Sequence, residues 1–199
     1  TILDEYNGLD QYDQVGHSVK QTSDGGYIIS GYEFSWDDNI WDLLLTKIDG
    51  SGNQIWQKII DGGGYEEGLS VIQTSEGGYA VCGFTTSYGN GSQDILLVKT
   101  DAYGNEEWIN FYGGVSSEKG HSVIQTEDGG YILAGYTYSF GNGNSDVYVV
   151  KTNENGTEQW TKTFVDEASN QAYSIQQTND CGYIIAGKKK NLGDANNDV

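Results

Sequence analysis

Oxygen-bearing side chains recur at alternate positions in three short segments of this chain. Alternating Asp and Asn is how calcium-binding loops begin, because this hard cation takes several oxygen ligands from one tight turn. The candidate ligands are Asn90, Asp94, Asn142, Asn144, Asp146, Asp194 and Asp198. Few of them are carboxylates, and no Glu follows at calcium-loop spacing, so Asx turns that start the next strand are the alternative. We expect no cofactor, and calcium is the ion that the pattern would suit.

A different segment has the residue types of a sugar-binding site. Residues 36–41 read WDDNIW, so that Trp36 and Trp41 flank two acidic residues, Asp37 and Asp38. An indole ring can stack on a sugar ring while carboxylates accept hydrogen bonds from its hydroxyls. These four residues are the ligand-binding candidates. Packing is the alternative for Trp36, because Tyr88 and Phe140 stand at the same place in related segments.

The sequence offers no recognisable catalytic constellation. It contains no GxSxG elbow and no CxxC pair, and the Gly-rich stretch GNGNS lacks the Lys of a phosphate loop. Its two histidines, His17 and His121, are not accompanied by further recurring ligands, which favours hydrogen-bonded scaffold roles. We therefore expect a protein that is not an enzyme.

All of these segments belong to one repeat of 52 residues. The spacing is constant for two sets of scaffold residues, which are Gly26, Gly78, Gly130 and Gly182, and Trp56, Trp108 and Trp160. The third copy contains four strand-like segments separated by turns: SVIQT, YILAGY, DVYVVKT and EQWTKTF. One small sheet cannot bury both faces alone, so neighbouring sheets must stack. The pattern predicts an all-β chain, a β-propeller of four-stranded antiparallel blades.

We expect a single β-propeller region over residues 1–199. Its repeat units are 17–68, 69–120, 121–172 and an incomplete 173–199, and residues 1–16 supply a preceding strand and connector. A closed four-bladed ring and an arc of a larger propeller both fit this register. We favour the arc, because the sequence stops just after the third strand of its last repeat begins.

The run GGYILAGYTYSFGNGNSDVYVVKTNENGTEQW (129–160) resembles the prokaryotic β-propeller repeat called SBBP. The resemblance covers nearly the whole chain. The chain is more distantly similar to the quinoprotein repeat, through turns such as Asp49–Gly52 followed by Trp56. The resemblance implies a propeller in a secreted or cell-surface protein.

The net charge limits the classes of partner that the protein can bind. A formal charge of −19 arises from 29 acidic residues against ten Lys and no Arg, which disfavours nucleic acid and anionic membranes. No apolar run approaches the roughly 20 residues that cross a bilayer. We expect a non-catalytic module that binds a glycan or a protein. Two alternatives are a surface-assembly subunit that self-associates through blade faces, and the scaffold portion of a propeller enzyme with catalytic residues elsewhere.

Overall fold

The structure, a computed structural model, describes residues 12–37, 39–142 and 144–190. Within these ranges the chain is all-β and no helix is present, so none could cross a membrane. The strands are β1 (Tyr12–Gln21), β2 (Tyr27–Ser35), β3 (Ile40–Ile48), β4 (Gln54–Ile60), β5 (Glu66–Gln73), β6 (Tyr79–Thr85), β7 (Asp94–Thr100), β8 (Glu106–Tyr112), β9 (Glu118–Gln125), β10 (Tyr131–Thr137), β11 (Asp146–Thr152), β12 (Glu158–Phe164), β13 (Ser169–Gln177) and β14 (Tyr183–Lys190).

The strands pair in chain order into four antiparallel sheets. Sheet I contains β1–β4, sheet II β5–β8, sheet III β9–β12 and sheet IV β13–β14. Antiparallel strands at a 52-residue interval are therefore confirmed. The first strand of each sheet is longer than predicted. In sheet III it begins at Glu118, four residues before the expected start at Ser122, because a bulge carries the pairing onward.

Successive sheets pack face to face through apolar side chains. Leu43 and Leu45 of sheet I pack with Val81 and Val98 of sheet II. The interface between sheets II and III is built in the same way around Cys82, Leu97, Leu133 and Val150, and that between sheets III and IV around Ala134, Val149, Ala172 and Ile175. The first strands β1, β5, β9 and β13 also contact one another in that order. Most of the burial in this chain is thus between neighbouring sheets.

The recurring tryptophans contact the sheet that follows them. The ring of Trp56 in β4 lies 5.8 Å from that of Tyr79, which begins the second strand of sheet II. Trp108 and Trp160 contact Tyr131 and Tyr183 in the same way, at 5.8 and 6.3 Å. These side chains lie between sheets, the place expected for scaffold residues.

The recurring glycines lie against backbone. A Cβ at Gly26, Gly78 or Gly130 would come within 2.3, 2.2 and 2.1 Å of the last carbonyl oxygen of the third strand. Gly182 has no such neighbour among the described residues, since no third strand of sheet IV belongs to them. Glycine at these positions lets the hairpin turn meet the end of the third strand.

A second set of glycines allows a bulge between the first two strands of every sheet. Each first strand carries one unpaired residue, which is His17, Leu69, His121 or Tyr173. Opposite it stands Gly31, Gly83, Gly135 or Gly187, where a Cβ would lie 1.6–2.0 Å from a carbonyl oxygen of the first strand. No side chain fits this approach. The bulge also explains why His17 and His121 share one repeat position.

We expect Gly83→Ala to destabilise the protein by roughly 3 kcal/mol, because the new methyl group must push the Glu67 carbonyl out of the ladder. The matched control is Gly77→Ala. It places the methyl group in open space, and its cost of about 1 kcal/mol arises only from the positive φ of 94°. Urea denaturation measures both. Equal losses for the two variants would contradict the close-approach explanation.

Candidate functional site

Five aromatic rings meet at the loop end of sheet I. This aromatic cluster consists of Tyr32, Phe34, Trp36, Trp41 and Tyr65. Phe34 and Trp41 stand directly opposite each other in the β2–β3 pair, so they share one face of the sheet. Trp41 links the members, with ring centroids 5.8 Å from Tyr32, 6.4 Å from Phe34 and 4.3 Å from Tyr65.

Trp36 projects outward from this cluster. Its side chain is 58% exposed, and the edge of one ring meets the face of the other where it touches Phe34, 4.9 Å away. It lies in the turn between β2 and β3, which closes through the N–H of Asn39 and the carbonyl of Ser35. Asn39 adopts a φ of 60°, a conformation that asparagine tolerates better than most residues. The tight turn leaves one side of the indole open to a ligand.

Trp41 is less exposed than Trp36. It is half-buried, its ring is tilted by 37° against that of Tyr65, and its Nε1 has no hydrogen-bond partner among the described residues. The hydroxyl of Tyr65 reaches the carbonyl of Asn39 at 3.4 Å and ties the connector between sheets to the turn. Asp37 is exposed beside Trp36, whereas Asp38 lies outside the described residues. Of the four ligand-binding candidates, Trp36 and Asp37 are thus the two that the structure describes as exposed.

Three carboxylates come together near the cluster. The oxygens of Asp42, Asp61 and Glu66 lie within 4.8 Å of one another. Sequence reasoning missed this group because its members come from β3, the connector and β5. The available signals were the recurrence of Glu at positions 66 and 118 and of Asp at positions 42, 94 and 146.

Glu66 and Glu118 bind the loops above their sheets. Glu66 is 1% exposed and accepts hydrogen bonds from the N–H of Gly62 and the hydroxyls of Thr85 and Ser87, at 2.6–2.8 Å. Glu118, fully buried, accepts hydrogen bonds from the N–H groups of Gly114 and Ser139 and from the hydroxyl of Thr137. Each glutamate thus joins a connector to the loop after the second strand. We call these two residues the buried glutamates.

Asp94 faces one of the buried glutamates. A Cβ built on Gly113 would lie 2.1 Å from Asp94 Oδ1 and 2.5 Å from Glu118 Oε2, so the two carboxylates flank this glycine. Neither forms an ion pair with a lysine of the described chain. Burial first, and the negative charge of Glu118 in addition, raise the pKa of Asp94, while the N–H of Gly91 acts in the opposite direction.

The calcium candidates lie in two separate loops. Asp94 accepts the N–H of Gly91, and Asp146 accepts the N–H of Asn142. The side-chain amide of Asn142 donates to the carbonyl of Asp166, and Asn144 is half-buried. Asn90 is exposed, and the last two candidates, Asp194 and Asp198, lie outside the described residues. In these loops the Asp side chains accept from backbone N–H groups three and four residues earlier, rather than from the N–H two residues on as in an Asx turn.

The raised pKa of Asp94 predicts a pH-dependent difference for Asp94→Asn. The folded state binds more protons than the unfolded state just above the ordinary Asp pKa, so Asp94 costs stability as the pH rises through that window. We expect the variant to gain stability over wild type between about pH 4 and about pH 7. Urea midpoints at the two pH values measure this gain.

Asp128→Asn is the control, because we expect its change in stability to have the opposite sign to that of Asp94→Asn. The Thr126 hydroxyl, and then Lys151, lower the pKa of Asp128 to about 2. Its contribution is therefore present above the ordinary Asp pKa, and the variant loses stability at pH 7. An Asp94→Asn protein that is less stable than wild type at both pH values would contradict the buried-pair interpretation.

Comparisons with known proteins extend the fold but not the function. The chain matches no family model and no curated protein. Among solved structures it is similar to a protein of unknown function from Bacteroides caccae, with 13% identity and a TM-score of 0.54. The similarity covers 90% of this chain and 57% of that one, so this chain spans a little over half the length of its structural neighbour. At this identity the likeness concerns the all-β fold alone.

Proposed function

We propose that this chain is part of a β-propeller that acts as a non-catalytic carbohydrate-binding module in an extracellular or cell-surface protein. The observation that carries the proposal is the 58% exposed Trp36, held against Phe34 beside the exposed Asp37. A large exposed aromatic ring on a structured turn costs solvation, and such rings mark binding sites.

The stacking of sheets I–IV supports the propeller part of the proposal. Each sheet packs on the next in chain order, and the first strands of neighbouring sheets lie together. Radial repetition of four-stranded sheets is the arrangement that this packing suits. The resemblance to SBBP repeats supports the extracellular setting.

Charge and side-chain chemistry support an uncharged sugar as the ligand. The formal charge of −19 repels anionic ligands. A sugar ring offers an apolar face to the indole of Trp36 and hydroxyls to the carboxylate of Asp37. Burial, and in addition the charges of Lys119 and Lys188, lower the pKa of His121 to about 4, which makes it a weak general base. His17 is already held by Glu67 at 2.5 Å.

Trp36→Ala tests the carbohydrate proposal on a glycan array. We expect a loss of affinity of about tenfold or more, because burying a large aromatic ring contributes roughly 1.5–3 kcal/mol. The matched control is Tyr103→Ala. Tyr103 is 73% exposed but lies in the turn between β7 and β8, at the opposite end of its sheet. Equal binding by both variants, or an array to which the wild type does not bind, would reject the proposal.

Self-association through blade faces is the second candidate. Ile184 of sheet IV is 61% exposed among the described residues.

Sedimentation equilibrium tests this second candidate. We expect Ile184→Asp to lower the apparent mass at high protein concentration if this face mediates association. Ser174→Asp on β13 is the control, since β13 already contacts sheet III. A wild-type protein that is monomeric at all concentrations would exclude self-association.

A further inference from the structure

One exposed aromatic side chain occurs in each of the first three sheets, at the same repeat position. Trp36, Tyr88 and Phe140 are 52 residues apart, and each lies in the loop after the second strand of its sheet. They are 58, 40 and 39% exposed. The recurring aromatics Tyr79 and Tyr131, which serve the packing between sheets, are only 2 and 1% exposed. We call the three exposed residues the aromatic row.

Each ring of the row is held by one aromatic neighbour. Trp36 contacts Phe34, Tyr88 stacks on Phe111 at 5.5 Å and 7°, and Phe140 contacts Tyr148 at 5.3 Å. The neighbours come from the second, fourth and third strands of their sheets, so no single packing contact explains the shared position. Rings that are already fixed lose little side-chain entropy when a ligand covers them.

Glycines of the connectors between sheets lie beside two of the rings. A Cβ on Gly62 would lie 2.7 Å from the ring of Tyr88, and one on Gly114 would lie 3.1 Å from the ring of Phe140. An edge atom of each ring, Cε2 of Tyr88 and Cζ of Phe140, thus lies beside a connector glycine, and more than a third of each residue's surface is exposed. The buried glutamates fix these loops, through Ser87 in sheet II and Ser139 in sheet III.

The loops around Tyr88 and Phe140 carry uncharged polar groups, whereas the Trp36 loop carries Asp37. Residues 86–93 read TSYGNGSQ and residues 138–145 read YSFGNGNS, with hydroxyl and amide side chains and no charge. Such groups donate to and accept from sugar hydroxyls. The charge of −19 opposes uronic or sulfated sugars.

Given the carbohydrate-binding function proposed above, on which this step rests, we propose that the aromatic row binds an uncharged linear polysaccharide. Each ring stacks on a different sugar segment of one ligand chain. A ligand with a repeating unit matches a protein surface that repeats from sheet to sheet, with stacked sheets about 10 Å apart. Binding then accumulates along the ligand, because attachment at one ring raises the effective concentration of the chain at the next.

Isothermal titration with neutral xylan, mixed-linkage β-glucan and mannan, and with their oligosaccharides of increasing length, tests the inference. We expect affinity to rise with length for the sugar that binds. Tyr88→Ala and Phe140→Ala should each lower affinity for the polymer by about tenfold and leave binding of a short oligosaccharide unchanged. Trp36→Ala should lower both. Polygalacturonate should not bind.

Two conservative variants separate the rings from folding effects. Tyr88→Phe and Phe140→Tyr keep a ring at each position, so both should retain polymer binding. Tyr103→Ala should leave the affinity for the polymer unchanged. If only Trp36→Ala weakens binding and affinity does not depend on length, the row is wrong and the single-site function stands. If none of the three neutral polysaccharides or their oligosaccharides binds, the row is overturned, and the glycan array alone then decides the proposed function.

Discussion

A four-stranded sheet of this size has two apolar faces and can remove them from water only by packing between two others. Strand β7 shows the result, because every one of its residues is buried. Leu96 packs toward sheet I and the adjacent Leu97 toward sheet III. By contrast β12, a fourth strand, is largely exposed. The third strands therefore read as continuous apolar runs and the fourth strands as alternating ones.

Buried charged side chains are stabilised by different contacts at the two ends of the sheets. At the hairpin end, Lys47, Lys99 and Lys151 are each 4% exposed and are paired with carboxylates at 2.8–3.2 Å. At the loop end, the buried charges are acidic, and backbone N–H and hydroxyl groups satisfy the two buried glutamates. Hydrogen bonds to the ionised form offset much of the desolvation cost without a cation.

The sequence predicted the strands and turns because these depend on local chemistry. Glycines at a fixed interval, apolar alternation and the recurring Trp residues are visible in one dimension. The bulges were not predicted, since the close approach at Gly83 to the carbonyl of Glu67 joins residues from two strands. The same reason hid the grouping of Asp42 with Asp61 and Glu66. Contacts between polar groups from distant parts of the chain leave no periodic pattern in the sequence, apart from the recurrence of the residues themselves.

For the candidate site, the sequence supplied the residue types but not their exposure. Trp36 and Trp41 are five positions apart, and only the turn at Asn39 separates the exposed indole from the half-buried one. The recurrence of an aromatic residue at positions 36, 88 and 140 was visible, yet recurrence alone is equally typical of packing. Exposure of the three rings is a property of the folded loops.

The buried glutamates and the exposed rings act on different parts of the same loops. Glu66 accepts a hydrogen bond from the Ser87 hydroxyl and Glu118 accepts one from the Ser139 N–H, so these contacts do not involve the side chain at position 88 or 140. A phenol and a phenyl group already occupy these two positions. Under the proposed binding function, single substitutions there would change ligand preference without removing these hydrogen bonds, and the repeats could diverge independently of one another.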